Sequence, residues 1–375
     1  MTLWPLIIFA ATLFVAYANG ANDNFKGVAT LFGSGRTEYR GALWWATVTT
    51  FAGSVTAFFL ATRLVSIFQG EGLVPAFLVQ SHSFIGAVIL GAALTVILAT
   101  KIGIPISTTH SLTGALLGSG FFAVGLQLGF ETLFNSFVLP LLASPLLAIT
   151  VAAAGYPLFS RALRFSGLTK DNCLCVASEG GPTALTPSGV TIIIESAPGL
   201  RVIVERQSVC AQPASGTLFG VDAQKVLDLG HYISAGAVSF ARGLNDTPKI
   251  VALGLAVSTL DPGWSIACVA AAMSLGGLAH SRKIAETVGK RITSMDPEQG
   301  FLANLVTSVL VICATKLGLP VSTTHVSCGA LFGIGIANGE ARWPMIRTIL
   351  LAWLLTLPAA AILSAAGYGL LQSVA

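Results

Sequence analysis

Pro105-Ile106-Ser107-Thr108-Thr109-His110-Ser111 is answered further along the chain by Pro320-Val321-Ser322-Thr323-Thr324-His325-Val326. Each closes a longer string, beginning Ala99-Thr100-Lys101 and Ala314-Thr315-Lys316, at an offset of 316 − 101 = 215 residues. A second polar motif is also duplicated, as Asn22-Asp23-Asn24-Phe25-Lys26 and Asn245-Asp246-Thr247-Pro248-Lys249, where 245 − 22 = 223. Two different motifs, each present twice in the same order, mark an internal repeat. Both are islands of Gly, Asn and Ser/Thr in apolar surroundings, so the repeat carries a site as well as a scaffold.

The surroundings decide the solvent. Of 375 residues, 54% are hydrophobic and 10% are charged, and mean hydropathy is +0.80. A soluble domain carries about 25% charged residues, so this chain is built for lipid. Its 40 glycines suit helices that approach closely in a bilayer. The small positive net charge gives no reason to expect nucleic acid. The six cysteines, at 173, 175, 210, 268, 313 and 328, imply no disulfide framework. Cys173-Leu174-Cys175 has no matching pair to complete a metal site.

Apolar runs long enough to cross a hydrocarbon core of about 30 Å start near residues 3, 42, 83, 106 and 133, and resume near 226, 248, 264, 301, 320 and 344. Residues 160–225 differ, with clustered charges, prolines and short β-type runs such as 190–194 and 200–204. The expected fold is therefore an all-α polytopic membrane protein: a first transmembrane repeat over 1–158, a small, partly β, soluble cytoplasmic insertion over 159–225, and a second transmembrane repeat over 226–375. Breaks are expected at 19–24 and 242–248, the latter at Pro248, which lacks an amide donor. Whether the breaks make discontinuous spans or re-entrant hairpins is open at this level.

Five crossings per half with the N-terminus outside put fifteen lysines and arginines on cytoplasmic borders and two, Arg63 and Lys316, outside. That obeys the positive-inside rule and places both termini outside the cytoplasm. An odd crossing number inverts the second copy, and inverted repeats hold their site at mid-membrane among broken helices.

Asp23 and Asp246 are carboxylates in apolar spans, where each costs at least about 2.5 kcal/mol unless partnered. With Asn22 and Asn245 they offer oxygen ligands of the kind a hard cation such as sodium takes. The alternative is an i,i+3 ion pair with Lys26 or Lys249; its recurrence beside extra amides favours the cation site. Ser107, Thr108, Thr109, Ser322, Thr323 and Thr324 follow Pro-x, as residues at a helix start do. Hydroxyls, free first-turn N–H groups and the helix dipole together suit a tetrahedral oxyanion, with ordinary N-capping as the alternative. His110 and His325 read as orienting groups more than as proton carriers. HExxH, GxSxG and Walker motifs are missing, which removes the usual hydrolase and ATPase readings, and no enzyme activity or cofactor is expected.

Gly20-Ala21-Asn22-Asp23, Gly243-Leu244-Asn245-Asp246 with Lys249, and the two P-x-S-T-T-H strings resemble the inorganic phosphate transporter (Pit) family over all but residues 160–225. The resemblance implies a cation-driven phosphate symporter of the cell (inner) membrane, working as a homodimer. On it, the six Ser/Thr residues hold phosphate, while Asn22, Asp23, Asn245 and Asp246 hold co-transported sodium. Coupling to protons with metal-phosphate, transport of sulfate, and a passive anion channel are the rival readings. The second motif departs from the first at Thr247-Pro248, so the two cation sites need not be equivalent.

Overall fold

The computed structural model describes residues 3–165, 172–178, 194–195, 200–206, 218–256, 261–291 and 297–374. Helix α1 (Trp4–Asp23) tightens into a 3₁₀ turn at Asn24–Val28 before the short α2 (Ala29–Gly33). There follow α3 (Tyr39–Leu60), α4 (Thr62–Phe68), α5 (Ala76–Val79), α6 (His82–Ile102), α7 (Thr108–Val124), the one-turn α8 (Phe130–Thr132) and α9 (Leu139–Phe165). The second half holds α10 (Ala223–Leu255), α11 (Pro262–His280), α12 (Arg282–Lys290), α13 (Pro297–Lys316), α14 (Thr323–Ala337) and α15 (Trp343–Val374). Among the described residues, seven helical stretches are long and apolar enough to cross a membrane. The chain is thus a polytopic membrane protein. Its outer faces carry exposed Phe59, Leu354 and Ile362, the surface that lipid requires.

Between the halves, β1 (Asn172–Ser178), β2 (Ile194–Glu195), β3 (Leu200–Arg206) and β4 (Leu218–Asp222) form an antiparallel sheet in the order β2-β3-β1-β4. The β1–β3 register runs from Asn172 opposite Arg206 to Ser178 opposite Leu200. The expected strand at 200–204 lies in β3. Of the run at 190–194 only Ile194 is described, and Cys210 with the side chains of Cys173 and Cys175 lies outside the described residues.

Both P-x-S-T-T-H strings sit at the tips of helical hairpins. Helix α6 ends on Gly103 at φ 84°, and α13 is followed by Gly318 at φ 70°. This left-handed conformation is free of strain for glycine alone, so the G-x-P tip reverses the chain. Packing against α15 fixes the direction. Along α7, Gly114 and Gly118 face Leu357 and Ala361, whereas along α6, Gly86 and Gly91 face Leu371 and Ser364. One arm runs parallel to α15 and the other antiparallel, as a hairpin must. The second hairpin repeats this on α9, with Gly329 and Gly333 against Pro145 and Ile149. Each hairpin packs on the last helix of the other half.

The same exchange holds for the helices that carry the Asn-Asp motifs. A Cβ on Gly20 would collide with the Met273 carbonyl oxygen, and one on Gly243 with that of Thr50. Gly276 meets Tyr17 and Gly53 meets Phe240 in the same way. Gly20 to Gly243, Met273 to Thr50, Gly276 to Gly53 and Tyr17 to Phe240 are all separated by 223 positions. Contacts therefore come in reciprocal pairs across the halves, made by glycines that let backbones touch.

One expectation needs correction. The chain does not break at 242–248: α10 runs through it with Pro248 inside the helix. Proline deletes one amide donor of the ladder, while Gly243 and Gly53 pack the turns before it on α3 and Gly254 packs the turn after it on Thr12 of α1. The first motif does depart from α-helix, but by 3₁₀ tightening after Asp23 and not by unwinding.

Candidate functional site

The exchanged packing brings the two Asn-Asp motifs and the two hairpin tips into one buried cluster. Asn19, Asn22, Asp23, Lys26, Thr108, Thr109, Arg242, Asn245, Asp246, Lys249, Thr323 and Thr324 are each 7% exposed or less. Ser107 and Ser322 sit at the starts of α7 and α14 and cap them. Each hydroxyl accepts from the amide three residues on, His110 N at 3.1 Å and His325 N at 3.2 Å. The two amides between each cap and that residue, those of Thr108 and Thr109 and of Thr323 and Thr324, have no partner inside the helix, and the positive end of each dipole lies at the cluster.

Asp23 accepts from Lys26, from Asn19 Nδ2 at 2.9 Å and from Thr108 Oγ1 at 3.0 Å. Asp246 accepts from Asn245 Nδ2 at 3.0 Å and Asn19 Nδ2 at 3.3 Å. It also pairs with Lys249 Nζ at 3.5 Å and Arg242 Nε at 3.8 Å. The single amide of Asn19 thus lies between the carboxylates of the two halves. The i,i+3 ion pairs weighed from the spacing are present at both motifs. Asn22 donates to Thr100 Oγ1 at 2.9 Å, and Thr315 Oγ1 donates to Asn245 Oδ1 at 3.1 Å. Each amide is therefore tied to the hairpin of its own half.

The lysines cross over. Lys26 Nζ donates to the Ile106 carbonyl at 2.7 Å and to Thr324 Oγ1 of the other half at 2.7 Å. Lys249 Nζ donates to the Val321 carbonyl at 2.7 Å and to Thr109 Oγ1 of the other half at 2.8 Å. Thr109 and Thr324 in turn donate to Val321 O at 3.3 Å and Ile106 O at 3.1 Å. His110 and His325 stand 4.3 Å apart between ring centroids, with His325 stacked on Trp353 at 3.7 Å. His110 Nδ1 lies 3.0 Å from Ser107 Oγ, which fits an orienting role.

Among the described residues, three cationic side chains, Lys26, Arg242 and Lys249, share the cluster with two carboxylates, Asp23 and Asp246. That leaves one formal positive charge in a buried region, at the starts of two helices. Charge, donors and burial all favour an anion there. Arg242 and Asn19 were not singled out from the sequence, nor were the lysines given more than a pairing role. The signal was present. Adding 223 to Asn19 and Lys26 gives Arg242 and Lys249, so both positions belong to the duplicated motif.

A family model described as the phosphate transporter family matches residues 19–364, a span that contains every residue of this cluster. The chain belongs to the phosphate transporter family. As a member it is a multi-pass transporter and not an enzyme. It is 29% identical over 380 residues to a Rhizobium meliloti protein named as a candidate low-affinity inorganic phosphate transporter, covering 97% of this chain and 96% of the relative. It is 26% identical over 410 residues to a Pyrococcus abyssi protein named as a candidate phosphate permease, with 97% of each covered. A solved structure named the sodium-dependent phosphate transporter superposes with a TM-score of 0.79 at 22% identity, over 100% of both chains. That likeness establishes the shared fold.

Proposed function

We propose that this family member imports inorganic phosphate by cation-coupled symport, with phosphate bound between two inverted repeats. The carrying observation is the buried cluster, in which hydroxyls and helix N-termini of both halves meet an excess positive charge. Thr108, Thr109, Thr323 and Thr324 are the proposed phosphate contacts, and Ser107 and Ser322 hold the helix starts in place. The reciprocal contacts support inversion. In a two-body arrangement, contact of one half's element with its non-equivalent partner, and the converse, belongs to a two-fold relation. With an odd number of crossings that axis lies in the membrane plane.

Sodium is the proposed driver, bound by Asn22, Asp23, Asn245 and Asp246. Carboxylate, amide and carbonyl oxygens suit it, and the structural neighbour is named for sodium dependence. One observation favours a proton as the second reading: each carboxylate already faces a lysine ammonium, which can gain and lose a proton without a metal. The proposed topology keeps both termini outside the cytoplasm and residues 159–225 inside. It is supported by the grouping of Lys283 against the Lys101 carbonyl and of Arg63 against the Leu317 carbonyl. The homodimer implied by the family resemblance remains part of the proposal.

Radiolabelled phosphate uptake into liposomes carrying the purified protein tests this. Accumulation above the external concentration under an inward sodium gradient is the expected result. Equilibration alone means a passive channel, accumulation driven only by a pH gradient means proton coupling, and preference for sulfate means another oxyanion.

A further inference from the structure

Each motif lysine ends where a cation would sit. Lys26 Nζ touches four oxygens: Asn22 Oδ1 at 2.8 Å, a carboxylate oxygen of Asp23, the Ile106 carbonyl at 2.7 Å and Thr324 Oγ1 at 2.7 Å. Lys249 Nζ touches the Val321 carbonyl at 2.7 Å and Thr109 Oγ1 at 2.8 Å, and pairs with Asp246 Oδ1 at 3.5 Å. Amide, carboxylate, carbonyl and hydroxyl oxygens are what a hard monovalent cation takes. Among the described residues no group of three His, Cys, Asp or Glu side chains collects that would recruit a transition metal. Three members of the two shells correspond, Asp23 to Asp246 at an offset of 223 and Ile106 to Val321 and Thr324 to Thr109 at an offset of 215, while Asn22 joins the first shell alone, so an oxygen shell around an ammonium is built twice.

We infer that each shell holds one cation at a time, so that the tethered lysine ammonium and a free sodium ion compete for it. This rests on the transport-site reading above and adds what fills the cation sites when sodium is away. One carboxylate neutralises one charge, and the ammonium uses the same oxygens that sodium would need. Two cations in one shell would also repel each other strongly where water is excluded. The lysines then keep Asp23 and Asp246 countercharged in the empty transporter and leave the anion site usable without sodium. The shells are unequal. Arg242 Nε lies 3.8 Å from Asp246 and stays there when Lys249 is removed, whereas Asp23 owes its ion pair to Lys26.

The test uses the purified full-length protein, with thermal unfolding followed as sodium chloride replaces N-methyl-D-glucamine chloride at constant ionic strength. Lys26→Met should lower the sodium concentration at half-maximal stabilisation by about tenfold or more. Lys249→Met should lower it less, and Lys26→Arg, which keeps a tethered charge, should not lower it. Unchanged or higher midpoints in both Met variants would overturn the inference. A second measurement needs no variant: wild-type protein should bind inorganic phosphate in sodium-free buffer, and an absolute sodium requirement for that binding would also overturn it. Failure to bind phosphate with or without sodium would count against the phosphate site, while the sodium midpoints would still judge the competition.

Discussion

The two Asn-Asp motifs have the same spacing, and the difference between them that bears most on charge lies at their first position. Where the first half has Asn19, the second has Arg242. Asn19 reaches both carboxylates through its amide. Arg242 reaches back across the interface to Asn19 Oδ1 at 2.8 Å, Asn24 Oδ1 at 3.0 Å and Thr50 Oγ1 at 3.2 Å. One motif thus supplies a neutral bridge, the other a fixed charge that grips the first. The scaffold is symmetric while the electrostatics are not. This teaches that the repeat sets where groups stand, and single substitutions within it decide which half is more positive.

The strongest way to probe this contrast is to remove one carboxylate at a time. Asp23→Asn leaves buried Lys26 without its ion-pair partner, and such a loss costs about 3–5 kcal/mol. Asp246→Asn leaves both Lys249 and Arg242, so its loss should be the larger of the two. Sodium-driven phosphate uptake should vanish in both. Thermal unfolding of the purified proteins checks the order, and equal losses would erase the proposed asymmetry.

Arg242→Lys comes next. A lysine keeps the charge but cannot reproduce the planar fork that spans Asn19, Asn24 and Thr50. The loss of stability should be about 2–3 kcal/mol, since hydrogen bonds to a charged group are worth about 1.5–3 kcal/mol each. Asn19→Ala, which removes a neutral bridge, should cost less. The reverse order in unfolding measurements would mean that the amide, not the guanidinium, holds the halves together.

Glycine substitutions probe the part that is symmetric. Gly20→Ala and Gly243→Ala each drive a methyl group into a facing backbone carbonyl, which cannot move as a side-chain tip can. Overpacking of this kind costs about 1–3 kcal/mol, and the two values should agree closely. A wide difference would show that the exchanged packing is not equivalent.

Much of this arrangement was legible in the chain. The Ser-Thr-Thr-His strings and the Asn-Asp pairs identified the repeat, and the Pro-x before each Ser-Thr-Thr identified helix starts, because those residues act locally through capping and φ preference. The course of α10 through Pro248 was not legible. Proline reads as a break, but packing on α3 decides the matter, and that packing depends on residues almost 200 positions away, such as Thr50 and Gly243. The crossed lysine contacts were hidden for the same reason. Spacing placed Lys26 next to Asp23, whereas its bond to Thr324 exists only once the two hairpins meet.

A further difference concerns the hairpin tips. Thr108 donates to Asp23 at 3.0 Å and accepts from Asn19 at 3.0 Å, so Thr108→Val leaves buried polar groups short of partners. That should weaken phosphate binding by about 1.5–3 kcal/mol. Thr323→Val should weaken it less, because Asp246 is served by Asn245, Asn19, Lys249 and Arg242. Phosphate titrations of both variants check the order.

On the proposed reading, both halves build one anion site. Isothermal titration of the purified protein with inorganic phosphate tests it most directly, in the wild type and in Thr109→Val and Thr324→Val. One phosphate should bind per chain, with the same single site weakened by the substitution in either half. Two phosphates per chain, one lost with Thr109 and the other with Thr324, would contradict it.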